Sequence, residues 1–198
     1  MQQQVKIKLC GLTQFDQVHL ACQLSVDAIG FVFHSASPRN VSVENAARLA
    51  EYVPEKVIRV AVTRHPSLEL WADIREGLKP DAFQTDIDDF TYLSVPDEIQ
   101  MWPVIREGAI PEHMPERFVY EGRDSGKGEK VDWEIAASYA RQGRMILAGG
   151  LSAANVGEAV DTVRPYGVDV SSAVECRPGV KDAGLVKEFI QAAKAAGN

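Results

Sequence analysis

The chain has 198 residues, of which 45% are hydrophobic and 25% charged, and these proportions predict one globular domain spanning residues 1–198. Its net charge of −7 is not gathered into blocks of one sign, which argues against nucleic acid or an anionic membrane as a partner. Cys10, Cys22 and Cys176 form no CxxC pair, and no signal-peptide pattern is visible, so we expect a reduced, cytoplasmic protein.

Short β-branched and apolar runs bounded by turn residues predict eight strands. These strands cover Val5–Leu9, Ala28–Phe33, Val57–Val62, Ala82–Thr85, Trp102–Ile105, Arg117–Glu121, Met145–Ala148 and Gly167–Ser171. Helical patterns between them cover Gln14–Gln23, Val43–Tyr52, Ser67–Gly77, Trp133–Gln142, Ala153–Val163 and Ala183–Ala195. The residue types preceding four of these helices suit N-cap positions, and they are Thr13, Ser42, Asp132 and Ser152.

This alternation predicts an α/β fold, and eight strands favour a single (β/α)8 TIM barrel. A typical barrel needs about 250 residues, so this one must be trimmed. The connections after strands 4 and 5 are too short or too rich in proline for full helices, and we expect helices there to be short or missing. A doubly wound sheet is the alternative, but its glycine-rich loop should follow the first strand, where Cys10-Gly11-Leu12-Thr13 has one glycine only.

Strand 1 alternates apolar and polar side chains, which indicates the face that each residue presents. Barrel strands pack their outward face against helices, so Val5, Ile7 and Leu9 should face outward. Lys6, Lys8 and Cys10 then face the interior, with Cys10 at the C-terminal mouth.

Small residues follow the last two strands and predict a phosphate site. Gly149 and Gly150 lie between strand 7 and the start of the next helix, and Ser171 and Ser172 end strand 8. Exposed backbone N–H groups and hydroxyls at adjacent strand ends can cradle a phosphate. In a (β/α)8 barrel, the loops after strands 7 and 8 commonly form such a site. The sequence therefore predicts a small phosphorylated substrate.

Two carboxyl groups also belong to the C-terminal strand ends. Glu121 ends strand 6, and Asp169 shares a face of strand 8 with Ser171. Active groups of barrels lie at these ends, so Cys10, Glu121 and Asp169 are expected to converge over one pocket.

Six motifs follow one another along the chain, and they are Lys8-Leu9-Cys10-Gly11-Leu12-Thr13, Gly30-Phe31-Val32-Phe33, Ser37-Pro38-Arg39, Ala148-Gly149-Gly150-Leu151, Val168-Asp169-Val170-Ser171-Ser172 and Pro178-Gly179-Val180-Lys181-Asp182. In this order and spacing they resemble the phosphoribosylanthranilate isomerase family, and the resemblance covers nearly the whole chain. The resemblance implies a cofactor-free barrel of tryptophan biosynthesis. Its reaction would be the Amadori rearrangement of N-(5-phosphoribosyl)anthranilate to 1-(2-carboxyphenylamino)-1-deoxyribulose 5-phosphate by acid–base catalysis.

The resemblance also implies roles for particular residues. Cys10 matches the family's base, which takes the C2′ proton of the iminium intermediate. Arg39 matches the residue that contacts the anthranilate carboxylate, and Asp169 an aspartate that positions substrate. The residues that match the phosphate site are Gly149, Gly150, Ser171 and Ser172.

The chain departs from the family pattern at several positions. Glu121 stands where the family has an acidic aspartate after strand 6, with Asp124 as the alternative general acid. Asp86 replaces a histidine after strand 4, and Ala173 replaces a glycine after the serine pair. These departures keep open a catalytically altered sugar-phosphate-binding barrel, or another sugar-phosphate isomerase or epimerase.

The sequence predicts neither a cofactor nor a metal. His19, His34, His65 and His113 show no ligand spacing. The expected partner is a small phosphorylated substrate, and the chain is expected to be a monomer or a homodimer.

Overall fold

In the computed structural model, which describes residues 4–109, 111–123 and 131–196, eight parallel strands close into a barrel. Each strand pairs with the next one along the chain, and the last pairs with the first. The strands are Lys6–Cys10 (β1), Ala28–Val32 (β2), Ile58–Val62 (β3), Ala82–Asp86 (β4), Gln100–Arg106 (β5), Arg117–Glu121 (β6), Arg144–Leu147 (β7) and Gly167–Val170 (β8). The predicted fold class is confirmed.

The described residues also form six α-helices, which are Phe15–Gln23 (α1), Val43–Ala50 (α2), Leu68–Gly77 (α3), Trp133–Ala140 (α4), Val156–Val163 (α5) and Ala183–Ala195 (α6). None of the helices in these parts of the chain is long and apolar enough to cross a membrane. The predicted strands and helices all appear, most with ends shifted by one or two residues.

Two of the four predicted N-caps are confirmed. Ser42 Oγ accepts a hydrogen bond from the backbone N–H of Asn45 at 3.1 Å. One carboxylate oxygen of Asp132 accepts from the backbone N–H groups of Glu134 and Ile135. Each side chain satisfies backbone donors that a helix start leaves unpaired.

The other two predicted caps, Thr13 and Ser152, are wrong because tertiary or loop contacts use these residues. The Thr13 hydroxyl donates to the carbonyl of Gly179 at 3.0 Å, which ties this turn to the loop after β8. The Asn155 side chain accepts from the N–H of Ser152 and donates to the carbonyl of Gly150, both at 2.8 Å. That contact closes a turn, and α5 begins at Val156 rather than at Ala153.

Two apolar layers follow from the alternation of side chains along the strands. Ile7 and Leu9 are buried in the larger core between strands and helices, as predicted. A separate cluster fills the barrel with inward-facing residues from β2 to β7, among them Val60, Trp102 and Ile146. Lys8 is also buried, and its ammonium group reaches Asp169 across the seam where β1 pairs with β8.

A 3-10 turn at Ile87–Thr91 takes the place of a helix after β4, and no helix appears among the described residues between β5 and β6. Asp89 anchors this turn and is 2% exposed. Its carboxylate accepts from the Thr85 hydroxyl, from the His65 backbone N–H at 3.1 Å and from His65 Nδ1 at 2.8 Å. An ionised carboxylate only accepts, so His65 Nδ1 carries the proton in this contact.

We predict that Asp89→Asn lowers the free energy of unfolding by about 2 kcal/mol at pH 7, because the buried Thr85 hydroxyl and two donors of His65 lose a charged acceptor. Burial opposes ionisation of Asp89, but the hydrogen bonds from Thr85 and His65 outweigh it and hold the pKa below its ordinary value. Because the pKa of Asp89 is lower in the folded protein, its ionised carboxylate stabilises the fold at pH values above the unfolded-state pKa of about 3.9. This stabilisation is lost as the pH falls from there through the lower pKa of the folded protein.

Urea unfolding of Asp89→Asn and wild type from pH 7 to pH 3 would test this expectation. The difference between the two proteins should narrow below about pH 4. The neighbouring exposed residue supplies the control, and Asp88→Asn should match wild type throughout. A gap between Asp89→Asn and wild type that is independent of pH would contradict the prediction.

Candidate active site

A cavity of about 670 Å³ opens at the C-terminal ends of the strands, within the size range of small-molecule sites. All eight residues assigned to the site from the sequence line it, and they are Cys10, Arg39, Glu121, Gly149, Gly150, Asp169, Ser171 and Ser172. A smaller cavity of about 210 Å³ lies at the opposite end of the barrel, lined by Lys6, Trp102 and Tyr166 among others. Barrel enzymes use the C-terminal end, which singles out the larger cavity.

Cys10 is the last residue of β1 and is buried at the floor of this cavity. Its register partner on β2 is Gly30, where an added Cβ would lie 2.8 Å from the thiol sulfur. A glycine at this position therefore leaves room for the thiol. On the other side, the Ser171 hydroxyl donates to the Cys10 carbonyl at 3.0 Å, which joins the mouth of β1 to the loop after β8.

Lys8 lies one inward position below Cys10, and its ammonium group donates to Asp169 Oδ2 at 2.6 Å. Lys8 and Asp169 are register partners on β1 and β8, and both are buried. The same ammonium also interacts with the Cys10 thiol. Burial opposes the charge on Lys8, yet the nearby Asp169 and Cys10 outweigh it and raise the pKa of Lys8, so this group stays protonated.

Burial raises the pKa of the Cys10 thiol above its ordinary value, because a thiolate is poorly solvated inside the barrel. Lys8 and Lys181 act in the opposite direction and favour the thiolate, while Asp169 adds to the effect of burial. The protonation state of Cys10 therefore depends on the two lysines that face it.

Arg39 is buried beside the cavity and forms a two-point ion pair with Glu175. Its Nε and Nη2 donate to the two carboxylate oxygens of Glu175, each at 2.8 Å. Lys181 Nζ donates to the same carboxylate at 2.7 Å. A guanidinium has five N–H donors, so Glu175 uses two of them and orients the rest. Gly11, at φ +77°, permits this close packing, since an added Cβ would lie 2.5 Å from Arg39 Cδ.

The two predicted phosphate-binding segments lie side by side at the rim. Gly149 and Gly150 follow β7 with φ values of +87° and +63°, a conformation that favours glycine. Ser171 follows β8, and a 3-10 turn covers Ser172–Val174. A two-stranded hairpin then follows, formed by Glu175–Arg177 (β9) and Val180–Lys181 (β10). Neither the 3-10 turn nor the hairpin was predicted.

Glu121 is the last residue of β6 and is joined to its neighbours by Arg106 at the end of β5. Arg106 Nη1 donates to Glu121 Oε1 at 2.6 Å, and Nη2 donates to Asp86 Oδ1 at 2.6 Å. The other oxygen of Asp86 faces His65 Nε2 at 3.3 Å and Arg64 Nε at 3.9 Å. Asp124, the alternative acid, lies outside the described residues.

One group of possible metal ligands was not visible in the spacing of the histidines. Ligand atoms of His65, Asp86 and Asp89 lie within 4.8 Å of one another. Arg106 already pairs with Asp86, while Thr85 and His65 donate to Asp89, so these groups serve as an ion-paired cluster.

Sequence reasoning missed several polar residues of the site. Glu175, Lys181 and Arg106 form the ion pairs described above, while Thr63 and Gln84 line the cavity directly. Arg106 could have been found from the alternation along β5, where Trp102 and Val104 face inward. Among the described residues, the buried atoms Thr63 Oγ1, Gln84 Oε1 and Asp169 Oδ1 have no hydrogen-bond partner within the protein. All three belong to residues that line the cavity, so they offer binding capacity to a polar ligand.

Comparison with known proteins agrees with this geometry. The family model described as N-(5'phosphoribosyl)anthranilate (PRA) isomerase matches residues 7–192. The N-(5'-phosphoribosyl)anthranilate isomerase of Geobacter sulfurreducens is 36% identical, over 96% of this chain and 98% of the relative.

Two solved structures extend the comparison to the fold. One is a phosphoribosyl anthranilate isomerase in complex with reduced 1-(o-carboxyphenylamino)-1-deoxyribulose 5-phosphate, with 29% identity and a TM-score of 0.80 over 96% of this chain and 99% of the other. The second shows monomers generated from the dimeric isomerase of Thermotoga maritima, with the same identity, TM-score and coverage. With its barrel, its cavity and these matches along nearly its whole length, the chain belongs to the N-(5'-phosphoribosyl)anthranilate isomerase family.

Proposed function

We propose that Cys10 and Glu121 are the base and the acid with which this chain carries out the isomerase reaction of its family. The enzyme converts N-(5'-phosphoribosyl)anthranilate to 1-(2-carboxyphenylamino)-1-deoxyribulose 5-phosphate in tryptophan biosynthesis. The observation that carries the assignment is that the thiol and the carboxyl line one cavity from β1 and β6, three strands apart around the barrel. A sugar between these strands can exchange protons with both groups.

The first chemical step opens the furanose ring. Protonated Glu121 gives its proton to the ring oxygen, the bond from C1′ to that oxygen breaks, and the anthranilate nitrogen forms an iminium with C1′. A positioned general acid of this kind contributes a factor of about 10²–10⁴ to the rate. Glu121 is left as a carboxylate beside Arg106, whose guanidinium already donates to it.

The second step removes the C2′ proton. The Cys10 thiolate takes this proton, and the electron pair of the C–H bond neutralises the iminium to give an enolamine. Tautomerisation of the enolamine produces the ketose, so substrate and product have the same atoms. Lys8 and Lys181 favour the thiolate that this step needs, although burial opposes it.

Arg39 is proposed to bind the anthranilate carboxylate. Glu175 holds the guanidinium through Nε and Nη2, which leaves the two hydrogens of Nη1 and one hydrogen of Nη2. These donors suit a carboxylate that approaches from the cavity, since a guanidinium matches two carboxylate oxygens at once.

The phosphate is proposed to bind against Gly149, Gly150, Ser171 and Ser172. These residues belong to the loops after β7 and β8, which barrels frequently use to bind phosphate. Asp169 is proposed to position the substrate between these two ends through Oδ1, because Oδ2 accepts from Lys8. The enzyme in the related complex binds a reduced phosphorylated product analogue, which supports a ligand of this chemistry here.

Three broader assignments belong to the same proposal. Residues 1–198 are proposed to form one domain, which a single cooperative unfolding transition would support. The chain is proposed to be a monomer or a homodimer, and light scattering on the purified protein distinguishes the two. A cytoplasmic location agrees with three free cysteines, one of them the proposed base, and fractionation of the source cells would test it.

We predict that Cys10→Ser abolishes measurable turnover, because a hydroxyl is a far weaker base than a thiolate. The assay is the decay of anthranilate fluorescence after freshly made phosphoribosylanthranilate is mixed with the enzyme. Cys22 lies on α1, and its thiol does not line the cavity, so Cys22→Ser should give the same fluorescence decay as wild type. If Cys10→Ser gave fluorescence decay at the wild-type rate, the thiol would have no part in the mechanism.

Glu121→Gln is predicted to lower kcat by about 10²–10⁴ while KM changes little, because the acid acts only in the transition state. Glu116→Gln, at the exposed start of β6, is the matched control and should retain wild-type kinetics. Unchanged turnover in Glu121→Gln would transfer the acid role to Asp124.

Lys8→Gln is predicted to raise the pKa of the Cys10 thiol further, because it removes a favourable charge and leaves Asp169 unneutralised. The rate of alkylation by iodoacetamide against pH reports this pKa, in a background with Cys22 and Cys176 changed to Ser. Lys6→Gln, two residues earlier on β1, is the control because Lys6 pairs with Asp27. An unchanged alkylation profile in Lys8→Gln would show that Lys8 does not favour the thiolate.

A further inference from the structure

We propose that Arg106 and Asp86 are positioning residues that hold the carboxyl of Glu121 and allow it to alternate between its protonated and ionised forms during the reaction. The inference rests on the proposed role of Glu121 as general acid. Arg106 was not singled out by the sequence, and Asp86 was noted there only as a departure from the family pattern.

The geometry of the three side chains is tight. They come from the C-terminal ends of the adjacent strands β4, β5 and β6, and Arg106 and Glu121 are register partners. Different nitrogens of Arg106 reach the two carboxylates, each at 2.6 Å. Their side chains are only 12–18% exposed. The planar guanidinium therefore cannot turn away from one carboxylate without straining its bond to the other.

The charge count of this cluster explains how a carboxyl beside an arginine can act as an acid. Two carboxylates and one guanidinium carry a net charge of −1 when all are ionised. When Glu121 holds a proton, Asp86 still pairs with Arg106, and that pair is neutral. The guanidinium is then not left as an uncompensated charge, which is expensive in a poorly solvated site.

The same arrangement stabilises the product of proton transfer. When Glu121 gives its proton to the ring oxygen, a new carboxylate forms 2.6 Å from Arg106 Nη1, already in hydrogen-bonding geometry. No side chain has to move to receive the charge, and such preorganisation is a main source of rate enhancement. Asp86 thus favours the protonated form of the acid, and Arg106 favours its conjugate base.

Other charged groups surround the cluster, and their effects on the pH profile must be distinguished from the effects of Arg106 and Asp86. Asp86 also faces Arg64 and His65 from the end of β3, and His65 is held in turn by Asp89. Other charged or titratable side chains that line the cavity with Glu121 are Cys10, His34, Arg39, Arg64 and Asp169. Since several of these groups titrate, the test compares the direction of change in paired variants rather than one pH profile.

The test measures kcat against pH for Asp86→Asn and Arg106→Gln, because the basic limb of kcat reports loss of the acid's proton in the enzyme–substrate complex. In Asp86→Asn the guanidinium of Arg106 has only the Glu121 carboxylate as its charged partner, which favours ionised Glu121. The basic limb should therefore move to lower pH by about 1 unit. Arg106→Gln removes the cation, so the limb should move to higher pH by about 1 unit. In both variants kcat should fall at its optimum, with KM changed by less than a few-fold.

Two control variants isolate the effect. Arg59→Gln breaks another arginine–aspartate pair, formed with Asp81 at the N-terminal ends of β3 and β4, and should leave the pH profile unchanged. The double variant with His65→Gln and Asp86→Asn should show the same shift of the basic limb as Asp86→Asn alone, because the proposal assigns that shift to Arg106 and not to the imidazole. A shift that vanishes without His65 would overturn the proposal.

The outcomes also separate this inference from the proposed acid role. Shifts in the same direction, or no shift, in the two variants would overturn the inference, whereas normal turnover of Glu121→Gln would overturn the acid role itself. If Arg106→Gln fails to fold, Arg106→Lys retains the charge but not the second hydrogen bond, and it should lower kcat with a smaller shift. An unmoved basic limb in Asp86→Asn is sufficient by itself to overturn the inference.

Discussion

The ion pair between Lys8 and Asp169 joins the first strand of the barrel to the last, although 161 positions separate the two residues in the chain. It forms because barrel closure places β1 beside β8 in register. A buried ammonium and a buried carboxylate each need a partner, so the pair requires the closed arrangement. The site depends on the same closure. Cys10 ends the strand that carries Lys8, and the proposed phosphate loop follows the strand that carries Asp169.

Elsewhere in the site, two ion-paired clusters each share one central side chain between two oppositely charged partners. Glu175 accepts from both Arg39 and Lys181, and Arg106 donates to both Glu121 and Asp86. Such sharing fixes the orientation of each long side chain before a ligand arrives. It also leaves N–H donors of Arg39 in a fixed orientation and available to bind a ligand. A substrate with a carboxylate at one end and a phosphate at the other fits this distribution.

The short connection after β4, where the barrel lacks an α-helix, contacts the site through the end of that strand. The 3-10 turn that replaces a helix there is anchored by Asp89, whose partner His65 also faces Asp86. Asp86 in turn pairs with Arg106 beside the proposed acid. The short connection therefore supports Asp86, the residue that stands where the resemblance to the family implied a histidine.

The sequence by itself determined the eight strands, the barrel class and eight of the residues that line the cavity, because these depend on local hydrophobic period and on motifs. The alternation along β1 was enough to place Cys10 at the mouth. The caps at Thr13 and Ser152 were predicted wrongly, since Thr13 bonds to Gly179 and a local Asn155 turn uses Ser152. Only the tertiary structure decided the partners of Lys8, Arg39 and Arg106. Those partners lie 161, 136, and 15 or 20 positions away in the chain, and charge pairing across such separations is set by which strands and loops the barrel places side by side and not by local sequence.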